Sequence, residues 1–320
     1  MPIHRRRILS IAPRCKARLL LACVSLAAAG CFTDQATQEQ SASNALLADK
    51  GITVYAAGDI ADCKDVRPEH SGAARTAALI AAGIDRDKGA VVLALGDTTY
   101  PVGMPAEFTE CYEPTWGRFK ARTYPAPGNH EYHTPRAVGY YGYFGDAAGP
   151  GRRGYYSFDL GSWHVISLNS NLKSEEHQAQ LDWLKADLAQ HRQRCTLAYW
   201  HHPVFSSGGH GDGARMADAW KILAAAGADL VLAGHDHDYE RFAPQDGDGK
   251  RDDRNGMREF VVGTGGAHLT PMRFRKWNSA ASDNATHGVL KLSLKELGYE
   301  WEFVPTSEDG FRDRGATLCH

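Results

Sequence analysis

The 320-residue chain has no excess of positive charge: 36 lysines and arginines face 38 aspartates and glutamates, for a formal charge of −2. No basic stripe interleaved with aromatics occurs, so a grip on nucleic acid is not indicated. No Cys-x-x-Cys spacing occurs among the seven cysteines, which argues against a thiolate metal site. The apolar run over residues 19–29 is too short to span a bilayer. No repeat is found at any period, and no linker interrupts residues 51–305. What remains is an ordinary globular composition, 43% hydrophobic and 23% charged, consistent with one domain over residues 51–320. Histidine is plentiful at 15, and several of these residues fall at predicted strand ends.

Residues 1–31 read as an export signal. His4-Arg5-Arg6-Arg7, Arg14, Lys16 and Arg18 form a basic n-region ahead of the apolar run. Two processing outcomes fit. Ala28-Ala29-Gly30 before Cys31 resembles a lipoprotein cleavage box, with Ala28 where a larger aliphatic is usual, and would leave a lipid anchor on Cys31 at the cell surface. Ordinary signal-peptide cleavage nearby would leave the chain periplasmic or secreted. The small polar residues of 32–50 form a linker. Beyond Cys31, the four cysteines Cys63, Cys111, Cys195 and Cys319 allow three pairings in an exported chain. Cys63 with Cys111 and Cys195 with Cys319 is the favoured set. The first two lie in loops just past a motif aspartate, and the second pair would staple the tail to a core strand. Buried free thiols are the alternative.

From residue 51 the pattern alternates strand and helix. Strands are expected over 53–57, 90–95, 196–200 and 229–233, with a hairpin over 155–160 and 163–169 turned at Gly161-Ser162. An alanine-rich helix over 73–82 stops at Gly83. Ser174 caps a second helix with Leu181, Leu184 and Leu188 on its core face, and a third runs over 214–226. Strands 260–262, 288–294 and 299–304 are expected to lie antiparallel and close a sheet edge. Residues 246–252 imitate the start of a calcium loop, but Lys250 stands where an oxygen ligand is needed and Met257 where the bidentate glutamate belongs. They read as a solvated loop.

Five expected strand ends carry a short polar signature: Gly58-Asp59, Gly96-Asp97, Gly128-Asn129-His130-Glu131, His201-His202 and Gly234-His235-Asp236-His237. Ligands in open α/β sheets bind beyond the carboxyl ends of the strands. These ends would therefore bring two carboxylates, an amide and at least three imidazoles to one rim. Carboxylate mixed with imidazole suits zinc, iron or manganese better than calcium. Each Gly-Asp alone is weak evidence; the ordered set is specific.

On these motifs the chain resembles the calcineurin-like metallophosphoesterases, over roughly residues 52–242. One position departs from the family pattern: Ala61 stands where the first motif usually has a histidine. Tyr100, three residues past Asp97, is similar to the tyrosinate that fills that place in the purple acid phosphatase branch, and Tyr239-Glu240-Arg241 has the same flavour. The resemblance implies a four-layer α-β-β-α sandwich with a mixed two-sheet core and a dinuclear metal site at the strand C-terminal ends. One metal would be held by Asp59, Asp97, Tyr100 and His237, and the other by Asp97, Asn129, His201 and His235. The pair would be iron plus zinc, manganese or a second iron. Of the histidine doublet, the branch pattern selects His201 as ligand and leaves His202 to substrate or solvent. His130 is implied as proton donor to the leaving group, with Glu131 orienting it through a hydrogen bond. His210 is read either as a second substrate-facing histidine or as an exposed loop residue, and Tyr100 either as a ligand or as a packed aromatic.

The implied function is a phosphatase that cleaves phosphomonoesters of small molecules by attack of a metal-bound hydroxide. A phosphodiesterase acting on nucleotides or lipid headgroups is the alternative within the enzyme class. The loop over 132–153, with Arg136, Arg152 and Arg153, suits either. A non-catalytic, metal-stabilised protein that binds phosphate or a partner is the third reading, and the oligomeric state is left open.

Overall fold

Among the described residues, thirteen strands in two sheets carry the architecture, because most of the apolar runs are short and bounded by turn residues. The structure, a computed structural model, describes residues 49–64, 67–191, 193–272 and 274–320. The export segment and nearly all of the linker lie outside these. In spatial order the first sheet is β15 (Arg314–Leu318), β14 (Gly298–Pro305), β13 (Gly288–Leu294), β1 (Ile52–Ala57), β3 (Val91–Leu95) and β5 (Thr123–Ala126). The second is β12 (Ser279–Asp283), β10 (Tyr239–Phe242), β11 (Arg258–Val262), β9 (Leu230–Ala233), β8 (Cys195–Tyr199), β7 (Trp163–Ser167) and β6 (Tyr156–Leu160). A separate two-stranded piece pairs β2 (Ala61–Asp62) with β4 (Thr99–Tyr100).

β1, β3 and β5 run parallel to one another, as do β7, β8, β9 and β11. The remaining pairings are antiparallel, so both sheets are mixed. The period of two along a strand then sorts the side chains of the second sheet. Val165, Leu197, Leu230 and Leu232 join the core shared with the first sheet. Their neighbours Ile166, Ala198 and Val231 pack instead on two helices, α3 (Ser174–Gln190) and α4 (Ala217–Ala225), through Leu181, Leu184, Trp220 and Leu223. On the outer side of the first sheet lies α1 (Gly72–Arg86), and α2 (Val138–Phe144) adds Tyr140, Tyr141 and Phe144 to the core. The layers are helix, sheet, sheet, helix. Each leucine or phenylalanine fully buried between them contributes roughly 1.5–3 kcal/mol.

Both favoured disulfides form: Cys63 with Cys111, and Cys195 on β8 with Cys319 just after β15. Three local expectations fail. Gly83 does not stop α1, which continues to Arg86. The glycine is required by packing, since a Cβ there would lie 2.0 Å from Tyr55 Oη on β1. Ser174 does not cap α3: it is the first helical residue, with φ of 49°, and Lys173 occupies the cap position without a side-chain bond. β11 does not share an edge with β13 and β14; it extends the parallel run beside β9 in the other sheet. β10, β12 and β15 were not anticipated. β12 (Ser-Ala-Ala-Ser-Asp) contains none of the β-branched or aromatic residues that mark a strand. The loop at 246–252 is a turn on itself, with Asp246 Oδ1 accepting from the backbone N–H of Asp248 and Lys250 at 2.9 Å each.

Alanine is favoured over glycine by about 1 kcal/mol in a helix interior, whereas overpacking costs about 1–3 kcal/mol. Gly83→Ala is therefore expected to lower Tm, and a rise in Tm on thermal unfolding would contradict the close approach of α1 to Tyr55.

Candidate metal centre

All five signatures follow strands as read. β1 ends into Gly58-Asp59, β3 into Gly96-Asp97, β5 into the Gly128 turn, β8 into Trp200-His201 and β9 into Gly234-His235. The turns that leave these strands are strained. Asp59 (φ 60°), Asp97 (φ 46°) and His235 (φ 74°) all hold left-handed backbone, at a cost on the order of 1–3 kcal/mol each. Backbone bonds hold the first two in place: Asp59 N–H donates to Gly96 O at 3.1 Å, Ile60 N–H to Asp97 O at 2.9 Å and Ala61 N–H to Thr98 O at 3.1 Å. His235 N–H donates to Asp59 Oδ2 at 2.8 Å. Gly96 has φ of 86°, and a Cβ on it would lie 2.6 Å from His201 Nδ1. Only glycine lets β3 approach β8 so closely.

At the centre the donor atoms crowd together. Tyr100 Oη lies 2.7 Å from Asp59 Oδ1, 3.1 Å from Asp97 Oδ2 and 3.1 Å from His237 Nε2. His237 Nε2 is 3.2 Å from Asp59 Oδ1, and His201 Nε2 is 3.1 Å from Asp97 Oδ2. One donor atom each of Asp97, His201 and His235 lies within 4.8 Å of the other two. The distal nitrogens are tied to carbonyls: His201 Nδ1 to Leu95 O at 2.9 Å and His237 Nδ1 to His268 O at 2.6 Å. This fixes both tautomers so that Nε2 faces the cluster.

The electrostatics are those of opposed buried charges. Burial alone would raise the carboxyls of Asp59 and Asp97, yet His237 beside the first and His201 beside the second hold both below the ordinary value. The same contacts lift His201 and His237 to about 9 against the effect of burial. Burial, with Asp59 and Asp97 next, pushes the Tyr100 phenol well above its usual value. His202 and His235 are pushed down to about 2 by burial and then by His201, which makes both free bases. At this centre Asn129 Oδ1 is a buried acceptor with no hydrogen-bond partner, and His201 Nε2 has none beyond its approach to Asp97 Oδ2. Carboxylates, a phenol, an amide oxygen and imidazoles converging with unfilled lone pairs are a donor set that fits a pair of transition-metal cations.

Beside the cluster opens a cleft of about 380 Å³ lined by Asn129, His133, His202, His210, Arg215 and His235. His235 is packed by three other imidazoles, with ring centroids 5.0 Å from His201, 4.3 Å from His202 and 4.4 Å from His210. His202 Nδ1 pairs with Ser170 Oγ at 2.8 Å, so His201 faces the donor cluster and His202 the cleft.

Residues 52–239 match the model of the calcineurin-like phosphoesterases. The chain belongs to this family. Among curated relatives it is 33% identical over 159 residues to purple acid phosphatase 21 of Arabidopsis thaliana, covering 46% of this chain and 36% of the relative. The chain thus spans about a third of that protein's length. Its fold is similar to that of the purple acid phosphatase PPD1 from yellow lupin, with a TM-score of 0.66 at 20% identity over 84% of this chain and 54% of the other. It is also similar to that of GAP50, the anchor in the inner membrane complex of Plasmodium, with a TM-score of 0.65 at 16% identity over 85% of this chain and 90% of the other. The family implies a dinuclear metal centre, and the donor cluster lies within the matched residues.

In this calcineurin-like chain Glu131 does not orient His130. It is Pro101 O that meets His130 Nδ1, at 2.6 Å. The Glu131 carboxylate is buried and accepts instead from Gly128 N–H (2.6 Å), Asp97 N–H (3.1 Å), Thr98 N–H (2.7 Å), Thr98 Oγ1–H (2.8 Å) and Thr99 N–H (3.3 Å), tying the second motif to the third. The loop that carries His210 is held by three more carboxylates. Glu259 accepts from Val204 N–H and Phe205 N–H, Asp236 from Ser206 Oγ–H and His210 N–H, and Glu240 from Ser207 N–H and Oγ–H. His210 is exposed at its side chain, but its backbone is not free. Sequence reasoning missed Ser170, Arg215, Pro101 and His268. His268 was the most accessible of these, since Gly263-Thr264-Gly265-Gly266 leaves β11, a further parallel strand end.

Replacing Glu131 by glutamine would aim an amide N–H₂ at a group of N–H donors. Each buried donor left unsatisfied costs about 1–3 kcal/mol, so Glu131→Gln is expected to lose at least about 2 kcal/mol of stability in denaturant unfolding. A loss below about 0.5 kcal/mol would remove Glu131 from this role.

Proposed function

We propose that the chain is an exported, metal-dependent phosphohydrolase that cleaves phosphomonoesters of small molecules. The observation that carries the reading is the meeting of Tyr100, Asp59, Asp97 and His237 within 2.7–3.2 Å, next to a histidine-lined cleft. In this reading Asp59, Asp97, Tyr100 and His237 hold one cation, and Asp97, Asn129, His201 and His235 the other, with Asp97 shared. The phenol favours iron in the first position, and zinc, manganese or iron suits the second. Bound there, two cations supply a nucleophilic water at neutral pH and positive charge for the phosphoryl oxygens.

The protein's own groups do the rest. Pro101 O accepts a hydrogen bond from His130 Nδ1–H, which fixes the ring and leaves Nε2 as the atom that would hand a proton to the departing ester oxygen. His202, His210 and Arg215 line the cleft where the ester group would sit. The domain plan belongs to the same proposal: export signal over 1–31, linker over 32–50 and catalytic domain over 51–320. Processing leaves either a lipid on Cys31, the one membrane attachment the proposal includes, or a chain released without it; among the described residues no helix is long and apolar enough to cross a membrane.

Asn129→Ala and His235→Ala are each expected to lower kcat/KM for p-nitrophenyl phosphate at least about 100-fold while leaving the thermal transition in place. Full activity in both would refute the second cation position. A lower kcat/KM for the bis(p-nitrophenyl) ester supports monoester specificity, and the reverse order would turn the reading to a phosphodiesterase. No turnover of either ester by metal-loaded protein would favour a binding role, since a shared fold does not itself carry catalysis.

The tyrosine has its own measurement. Iron-loaded protein is expected to absorb visible light through phenolate-to-iron charge transfer, and Tyr100→Phe to lose the band. A colourless, iron-free wild type after metal loading would remove iron from the first position.

A further inference from the structure

A second cluster of donors lies at the opposite end of the second sheet, around the amino-terminal end of β7. His164, the second residue of that strand, is buried and reaches two carboxylates: Nδ1 lies 2.9 Å from Asp159 Oδ1 on β6, and Nε2 lies 2.7 Å from Asp187 Oδ2 on α3. His191, just past α3, stacks on His164 with ring centroids 4.0 Å apart. One donor atom each of Asp159, His164 and His191 lies within 4.8 Å of the other two.

Asp187 prepares both imidazoles. Its carboxylate receives His164 Nε2–H, and its main-chain carbonyl receives His191 Nδ1–H at 2.9 Å. Ser157 Oγ–H completes that carboxylate by donating to Oδ1 at 2.7 Å. In the neutral form of each ring, those bonds leave His164 Nδ1, which faces Asp159 Oδ1, and His191 Nε2 as the lone pairs a cation could use. Carboxylate or carbonyl support on the far nitrogen is the usual setting of a metal-binding histidine. Gln193 supplies an independent sign. Its amide N–H donates to Asp159 Oδ2 at 2.9 Å, while its Oε1 is buried with nothing to accept from. An unpaired buried acceptor on a side chain hydrogen-bonded to the Asp159 carboxylate lacks a positive partner.

We propose that a divalent cation of the zinc class binds here, through Asp159, His164, His191 and the Gln193 amide oxygen, separately from the centre in the cleft. Two imidazoles with two oxygens suit zinc better than magnesium or calcium. The site would join α3 to β6, the edge strand of its sheet, and so hold the outer helix layer against an edge that has pairing on one side only. Without the cation the same place is served by a proton. Burial would lower the His164 value, but Asp187 and then Asp159 raise it above the ordinary one, so cation and proton compete.

The test is zinc content after loading and desalting, compared between wild type and Asp159→Asn/His191→Ala. One zinc fewer per chain in the variant is expected, with kcat/KM for p-nitrophenyl phosphate within about twofold of wild type. Equal zinc content in the two proteins would overturn the site and leave a proton as its occupant. Because only the difference counts, the result is independent of how many cations the cleft holds. Should the double variant not fold, His191→Gln, at a side chain 34% exposed, provides the same comparison, with loss or retention of one zinc read in the same way.

Discussion

Two aspartates that cannot reach water set the terms for the rest of this molecule. Asp59 and Asp97 are 0% and 1% exposed, and an isolated carboxylate in such a place would shed its charge by taking a proton. Instead each is faced by an imidazole, His237 or His201, and both face the Tyr100 phenol. The arrangement needs donors from strands far apart in the chain, and it needs them aimed inward from turns with unfavourable backbone angles. The two-sheet core meets both requirements: it brings several parallel strand ends together and over-determines the turns that leave them.

A second tier of buried acids does this locally. Glu131, Asp236, Glu240 and Glu259 use their oxygens on backbone and hydroxyl donors of the loops around the centre. A buried carboxylate is stable there only while every neighbouring donor points at it, so each acid admits one loop conformation. The Tyr239-Glu240-Arg241 segment shows both uses of polarity. Glu240 fixes the His210 loop, whereas Arg241 points the other way, over Trp301 and into a bidentate pair with Asp313 at 2.6 and 3.0 Å, beside β15. Positions that look like one signature thus serve the site and the sheet edge separately.

The fold by itself carries less. It is shared with a purple acid phosphatase and with an anchor protein of an inner membrane complex, and chemistry resides in the residues grafted onto the strand ends. In this chain the motif residues stand at those strand ends, with Ala61 on β2 paired beside Thr99 and Tyr100 one step further on. The Tyr100 phenol reaches Asp59, Asp97 and His237 from β4, the strand paired with β2.

The sequence alone determined the strand ends, because a short apolar run followed by Gly-Asp or Gly-His has one physical meaning: a buried strand that stops and turns. It also indicated which residue types would meet, and it favoured, without deciding, the disulfide pairing that forms. Only the tertiary structure decided which atoms touch. Gly83 looks like a helix stop until Tyr55 is seen against it, and Glu131 looks like the partner of His130 until Pro101 O is found there. Likewise β11 and β13 read as one hairpin until each finds a different sheet. The cluster around Asp187 was wholly illegible, since Asp159, His164, His191 and Gln193 share no motif. Local patterning reports which face of an element is apolar and where it ends. It carries no information on what lies across the gap, and hydrogen bonds, close packing and donor convergence all depend on that.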